Sequence, residues 1–404
     1  MKDGYHVIDV DTHVNPTYEV LMRYADRALR ARSGELQQYR RVTANPGGAD
    51  TSILSIRPVR YSRVAGRKAG EDAHGGRDGG QHSLDGRTHQ RNAVPYSPGV
   101  SDDNATGRLH DMDTEGVGIA FIIPGTWAYG ASSLDIGLTR LLYAAYHRYA
   151  EDYCSADDKR LKNLLLAPGG DPRWAADAIR EHGAKPWAAA VWPVLPEGMS
   201  IDDPDMAPVW EAASDMDLPI AYHGFHVMPP YFPGYRDIWD NAVVGRAAGQ
   251  TWGAQRFLSF MLISGILDQY PSLRVGLLES GHGWLPQWLY RLGHQVDYVR
   301  GMTPPELRHM PVEFVERGQV FCGIDFSEGV GMTKAVIDLL GEDVLLYQSD
   351  YPHPESIYPD TASTVIRWAD RLGAGPTRKM MASNALRMFR FKSVPVGFES
   401  LSLS

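Results

Sequence analysis

Cysteine is nearly missing from this 404-residue chain, with Cys154 and Cys322 as its only two. Two thiols cannot make a disulfide framework or a cysteine-based zinc site, so the composition points to a reducing compartment. No apolar run is long enough to span a bilayer, and the opening "MKDGYHVIDVDTH" has no apolar leader core. The expectation is a soluble, cytoplasmic protein without a membrane partner. An excess of positive charge is also lacking. A formal net charge of −9 argues against a nucleic-acid surface and otherwise speaks mainly to solubility. What is present, 43% hydrophobic and 22% charged residues, describes an ordinary globular protein.

Eight short apolar runs stand out: "YHVIDVD", "VGIAFIIP", "LKNLLLAPG", "WAAAVWPV", "LPIAYHG", "LRVGLLES", "GQVFCGID" and "DVLLYQSD". Continuous apolar runs of this length fit strands buried on both faces of a parallel sheet. Most intervals hold helical patterns, such as "SLDIGLTRLLYAAYHRYAEDYC" and "MTKAVIDLLG". Strand and helix alternating eight times predict an α/β fold, a distorted (β/α)8 TIM barrel forming one domain over 1–404. A doubly wound open sheet calls for a glycine-rich first turn, and "DTHVNPTYEV" is not one.

One interval breaks the rhythm. Residues of about 34–100, including "AGRKAGEDAHGGRDGGQHSLDG", are rich in Gly, Arg, Asp and His and weak in periodicity. Such an insertion reads either as a surface excursion or as a lid, because it leaves from the end of strand one. Its histidines, His74, His82 and His89, read as solvated. The tail after "NALRMFRF" reads as a short packing extension.

Groups at the C-terminal ends of barrel strands converge on one pocket. Strand one supplies Asp11 and His13, on one face by the two-residue period of a strand. Strand five supplies His223, with His226 close by. Strand six ends at Glu279, followed by His282. Strand seven gives Asp325 and Glu328, which read as capping or orienting groups, and strand eight gives Asp350 and then His353. Unpaired acids buried at so many strand ends would be costly, and a divalent cation removes that cost. Asp9, on the same face of strand one, reads as a buried partner behind this edge. "GWLPQWLYRL" reads as a helix start whose Trp284, Trp288 and Leu292 pack on the barrel, with Trp284 also at the pocket.

"IDVDTH", "RLHDMDTEGVGIAFIIP", "LPIAYHG", "LLESGHGWLPQWLYRL", "GEDVLLYQSDYPHPES" and "SNALRMF" together resemble the amidohydrolase superfamily. The resemblance is to the group containing aminocarboxymuconate-semialdehyde decarboxylase and related aromatic-acid decarboxylases, and it leaves the insertion uncovered. It implies Asp11, His13, His223 and Asp350 as metal ligands, with Asp350 also a base. It places Glu279 where those decarboxylases carry a catalytic histidine, so that Glu279 becomes either a further ligand or a proton relay. His282 is then the expected proton donor, and His226, His353 and Trp284 are the expected substrate-binding residues.

Two imidazoles with two or three carboxylates suit zinc, manganese or iron, as one or two ions, and do not choose among them. A bound divalent ion would lower the pKa of its water for hydrolysis, or polarise a substrate carboxylate or phenolate for loss of carbon dioxide. The leading expectation is a metal-dependent hydrolase or carboxy-lyase of a small carboxylated, cyclic or aromatic molecule. The alternatives are a dinuclear iron or manganese monooxygenase on the same scaffold and a non-catalytic partner subunit. Barrels of this kind associate, so a homodimer or related hetero-oligomer is expected.

Overall fold

The computed structural model describes residues 1–43, 51–56, 94–223, 242–299, 301–353 and 355–403. All eight predicted strands form. They are β1 (Ile8–Val14), β2 (Ile119–Pro124), β3 (Leu161–Pro168), β4 (Ala188–Val194), β5 (Ile220–His223), β6 (Val275–Leu278), β7 (Val320–Gly323) and β8 (Leu345–Leu346). They pair in chain order, every pair parallel. Every residue of β2 and β3 is buried, as expected for strands sealed on one side by helices and on the other by the barrel interior. Each fully buried Leu, Ile or Val contributes about 1.5–3 kcal/mol, so these runs dominate the stability of the scaffold.

The barrel closes through the segment after β8. Val10 N–H donates to Tyr347 O at 3.1 Å, Asp350 N–H to Asp11 O at 3.0 Å, and His13 N–H to Tyr351 O at 2.6 Å. Closure therefore brings the residues that follow β8 directly against the functional end of β1. The distortion lies partly in β1, whose register against β2 shifts between Asp9 and Thr12.

Helices fill the predicted intervals. Ala105–Glu115 leads into β2 and ends at Gly116, whose φ of 88° is the left-handed cap that glycine adopts without strain. Ile136–Cys154 follows β2, and the 22-residue helix Ala242–Ile263 stands between β5 and β6. The chain end packs as a short extension, with Phe398 buried against His6. No helix among the described residues is long and apolar enough to cross a membrane.

The described part of the insertion is more ordered than its composition implies. A 3-10 turn, Ser33–Tyr39, runs into an antiparallel ribbon of Arg40–Thr43 and Thr51–Leu54. Leu36, Leu54 and Ile56 are buried, and Arg40 and Ser52 are tied to Glu19. Three spaced apolar anchors give no periodicity to read, yet they seat the ribbon on the barrel. His74, His82 and His89 lie outside the described residues.

Candidate metal centre

Asp11 and His13 end β1, His223 ends β5, Glu279 follows β6 and Asp350 follows β8, all at the C-terminal mouth. One donor atom from each of Asp11, His13, His223 and Glu279 falls within 4.8 Å of the others. A second, overlapping group joins His13 to Asp350 and His353. His13 Nε2 stands 3.2 Å from Asp11 Oδ1 and 2.9 Å from Asp350 Oδ1. His223 Nε2 stands 2.7 Å from Glu279 Oε2 and 3.5 Å from Asp11 Oδ1.

These contacts are close but do not align as hydrogen bonds. Both carboxylate oxygens of Asp11, Nε2 of His13 and of His223, and Oε2 of Glu279 are buried without a hydrogen-bond partner. Five orphaned buried polar atoms in one small volume would cost several kcal/mol if nothing satisfied them. A divalent cation satisfies all of them, and the mixed imidazole and carboxylate set is chemically suited to one. The residues fit a metal.

The charges agree. Burial alone would raise the Asp11 carboxyl, but His223 and His13 beside it hold it below the usual range. Burial lowers His223, and Asp11 and Glu279 more than reverse that, to about 9. His13 is raised in the same way by Asp11 and Asp350. The acids attract positive charge strongly enough to hold protons on both imidazoles, and a cation binding there would displace those protons.

Backbone strain marks the same places. Glu279 has φ 45° and Asp350 φ 61°, left-handed values that cost a non-glycine residue about 1–2 kcal/mol. Both carry their side chains into the cluster. The tight turns after β6 and β8 are thus held in place by their surroundings.

Supporting groups surround the donors. Asp9 accepts from Asp11 N–H and Ser349 N–H, tying the end of β1 to the segment after β8, and burial pushes its carboxyl up to about 8. Gln250 Nε2 donates to Glu279 Oε1 at 2.9 Å. The fully buried Arg108 guanidinium donates to the backbone carbonyls of His13 and Val100. Tyr129 hydrogen-bonds through its hydroxyl to His223 Nδ1.

Not every expected residue joins the cluster. His282 is fully buried, with Nε2 against Thr333 Oγ1 at 3.0 Å and Nδ1 against Glu328 Oε2 at 3.0 Å. Glu328 also accepts from the backbone N–H of His282 and Gly283. The imidazole therefore ties the loop after β6 to the segment after β7, and it is not among the residues grouped around the donor set. Trp284 returns its indole N–H to the carbonyls of Ser280 and Gly281 at 3.0 Å, and Trp288 donates to Ser259. Asp325 caps the short 3-10 turn at Phe326–Glu328. His353 sits with its ring stacked on His13 at 4.2 Å and Nδ1 2.6 Å from Asp350 Oδ1. His226 lies outside the described residues.

Sequence reasoning passed over Tyr129, Gln250 and Arg108. Tyr129 follows the end of β2 by five residues, so the strand-end rule that selected His282 would also have reached it. Gln250 sits on a helix at a position no motif marks, and Arg108 opens the quoted stretch "RLHDMDTEGVGIAFIIP" without a role having been read for it.

Gamma-resorcylate decarboxylase of Rhodococcus jostii (strain RHA1) is 25% identical over 260 residues, covering 59% of this chain and 73% of that protein. The structure of 5-carboxyvanillate decarboxylase from Novosphingobium aromaticivorans, holding manganese and 4-hydroxy-3-methoxy-5-nitrobenzoic acid, superposes with a TM-score of 0.66. Identity there is 19%, over 96% of this chain and 97% of that one. Dihydroxybenzoic acid decarboxylase from Polaromonas, with manganese and 2-nitroresorcinol, gives a TM-score of 0.59 at 15% identity, over 96% and 97%. The amidohydrolase family model matches residues 123–391. With that match covering two-thirds of its length, on an eight-stranded barrel whose mouth gathers acids and imidazoles, the chain belongs to the amidohydrolase family.

Proposed function

We propose that this chain is a metal-dependent decarboxylase of a carboxylated, hydroxylated aromatic acid. The observation that carries the reading is the set of buried, unpartnered donor atoms on Asp11, His13, His223 and Glu279. The names of the relatives then favour loss of carbon dioxide over hydrolysis. Neither the oxygenase alternative nor the non-catalytic subunit gains an observation of its own.

Asp11, His13, His223 and Glu279 would hold one divalent ion, with Asp350 at its edge. When bound, the ion supplies a positive charge that fixes an anionic oxygen of the substrate and stabilises charge developing on it. The chain's own residues handle the proton. Burial would raise the Asp350 carboxyl, but His353 and His13 outweigh that and hold it well below the usual range. Asp350 therefore waits as a carboxylate and takes a proton at Oδ1 from a substrate hydroxyl, whose oxygen regains one from solvent at the end of the turnover. It delivers that proton to the ring carbon bearing the carboxylate. The bond to the carboxylate carbon then breaks, carbon dioxide leaves, and the bonding electrons restore the aromatic ring. Gln250 keeps Glu279 from swinging out of the cluster. His282 anchors the loop after β6 through Glu328 and Thr333.

The test is release of carbon dioxide, with formation of the matching phenol, from a panel of hydroxylated benzoates supplied to the manganese-loaded protein. Turnover of at least one ortho- or para-hydroxybenzoate supports the reading. Hydrolysis of cyclic amides or lactones with no decarboxylation would replace it.

A further inference from the structure

We infer that Tyr129 is the positioning residue that sets the tautomer and aim of His223, so that Nε2 is free to bind the metal. The inference rests on the metal reading above and adds a residue that no motif marks.

The phenol is buried and its hydroxyl meets His223 Nδ1, the ring nitrogen turned away from Asp11 and Glu279. A neutral imidazole carries one N–H, and a nitrogen that binds a metal must offer its lone pair. With Nε2 turned to the acids and the ion they attract, Nδ1 must hold the hydrogen and donate it to Tyr129 Oη. A partner at Nδ1 thus decides which nitrogen is the ligand and fixes the ring plane. Metal-binding histidines more often use a carboxylate or a backbone carbonyl for this. Here a phenol takes that place, and it brings no further negative charge to a site already crowded with carboxylates.

The mounting of Tyr129 supports a role that needs accurate placement. It belongs to a four-residue helix, Trp127–Gly130, too short to be stable on its own. Side-chain hydroxyls satisfy the carbonyls at its end: Tyr143 donates to Ala128 O at 2.6 Å, Ser133 to Gly130 O at 2.7 Å and Thr139 to Ala131 O at 2.7 Å. The Tyr129 ring packs edge-on against Trp192 at 4.2 Å. On the other side, the chain after the insertion's ribbon lies so close that a Cβ at Gly130 would fall 1.8 Å from Ile56 O. Pinned from three directions, the phenol has little freedom to leave Nδ1.

Tyr129→Phe keeps the ring and removes only the hydroxyl. Its affinity for Mn²⁺, measured by electron paramagnetic resonance of the free ion, should fall about ten- to a hundredfold. Tyr146→Phe is the control, because it removes another buried phenol hydroxyl, one that donates to Asn163 instead. That variant should bind Mn²⁺ as the wild type does, whatever each substitution does to the melting temperature. On the wild-type protein, nitrogen-15 spectra of the zinc-loaded form should show His223 protonated at Nδ1. Unchanged Mn²⁺ affinity in Tyr129→Phe, or a His223 protonated at Nε2, overturns the inference while leaving the metal site intact. A wild-type chain that binds no divalent ion overturns both.

Discussion

Glu115 offers a quantitative test, because the fold places its carboxylate badly. It is the last residue of the helix Ala105–Glu115, where the helix dipole disfavours negative charge, and it is buried. Oε1 accepts from Ala362 N–H at 2.6 Å, but Oε2 is buried without a partner. Burial raises the carboxyl from 4.5 to about 7, against the smaller opposing effects of the Ala362 hydrogen bond and Lys2. The unfolded carboxyl ionises near 4.5 while the folded one keeps its proton to about 7. Stability is therefore whole below the first value and erodes as pH climbs through that window, by about 3 kcal/mol once pH exceeds 7. Glu115→Gln ionises in neither state and keeps an acceptor for Ala362. Residue 115 lines, with Asp111 and Arg108, a cavity of about 20 Å³, which has room for a water to meet the new amide. The variant should match the wild type near pH 4.5 and exceed it by up to about 3 kcal/mol at pH 8. At roughly 2 cal/mol/K of unfolding entropy per residue, that is a rise of about 3–4 °C in Tm. Melts of both proteins at one-unit steps from pH 5 to 9 make the comparison. A difference that does not grow with pH, or a variant less stable at pH 8, would refute the reasoning.

Other substitutions test separate joints of the structure. His13→Ala should abolish turnover and weaken Mn²⁺ binding by more than about a hundredfold, read by metal titration; retained metal with lost turnover would make His13 a proton-transfer group instead. Gly130→Ala must push the chain at Ile56 away from the Tyr129 helix, at about 1–3 kcal/mol in urea unfolding. An unchanged midpoint would mean that the ribbon is not seated there. Glu328→Ala strips the acceptor from the backbone N–H groups of His282 and Gly283, and should cost about 2–3 kcal/mol with a loss of kcat as Glu279 loosens. Stability lost with kcat intact would confine Glu328 to a scaffold role.

The barrel was legible because its signal is dense: eight aliphatic runs with helical intervals admit few architectures. The ends of those runs brought Asp11, His13, His223 and Glu279 into view because a strand's direction fixes which end faces the pocket. His282 shows where that rule weakens. It lies three residues beyond the strand-end glutamate, and the chain turns after Glu279, so nearness in sequence did not carry the imidazole into the cluster. Tyr129 shows the opposite failure, a phenol in an apolar stretch that reads as core until the fold lays its hydroxyl on His223 Nδ1. Arg108 and Gln250 act from helices, through a backbone carbonyl and a carboxylate that only tertiary packing brings near. The ribbon at 40–54 escaped notice because its few apolar anchors are spread through a polar segment.

On the proposed function, the mouth of the barrel binds a divalent ion through Asp11, His13, His223 and Glu279. The most direct test is elemental analysis per chain for zinc, manganese and iron in the purified wild type and in His223→Ala, after reloading with Mn²⁺. The account predicts close to one ion in the wild type and close to none in the variant. A wild type that takes up no ion, or a variant that retains a full equivalent, would contradict it.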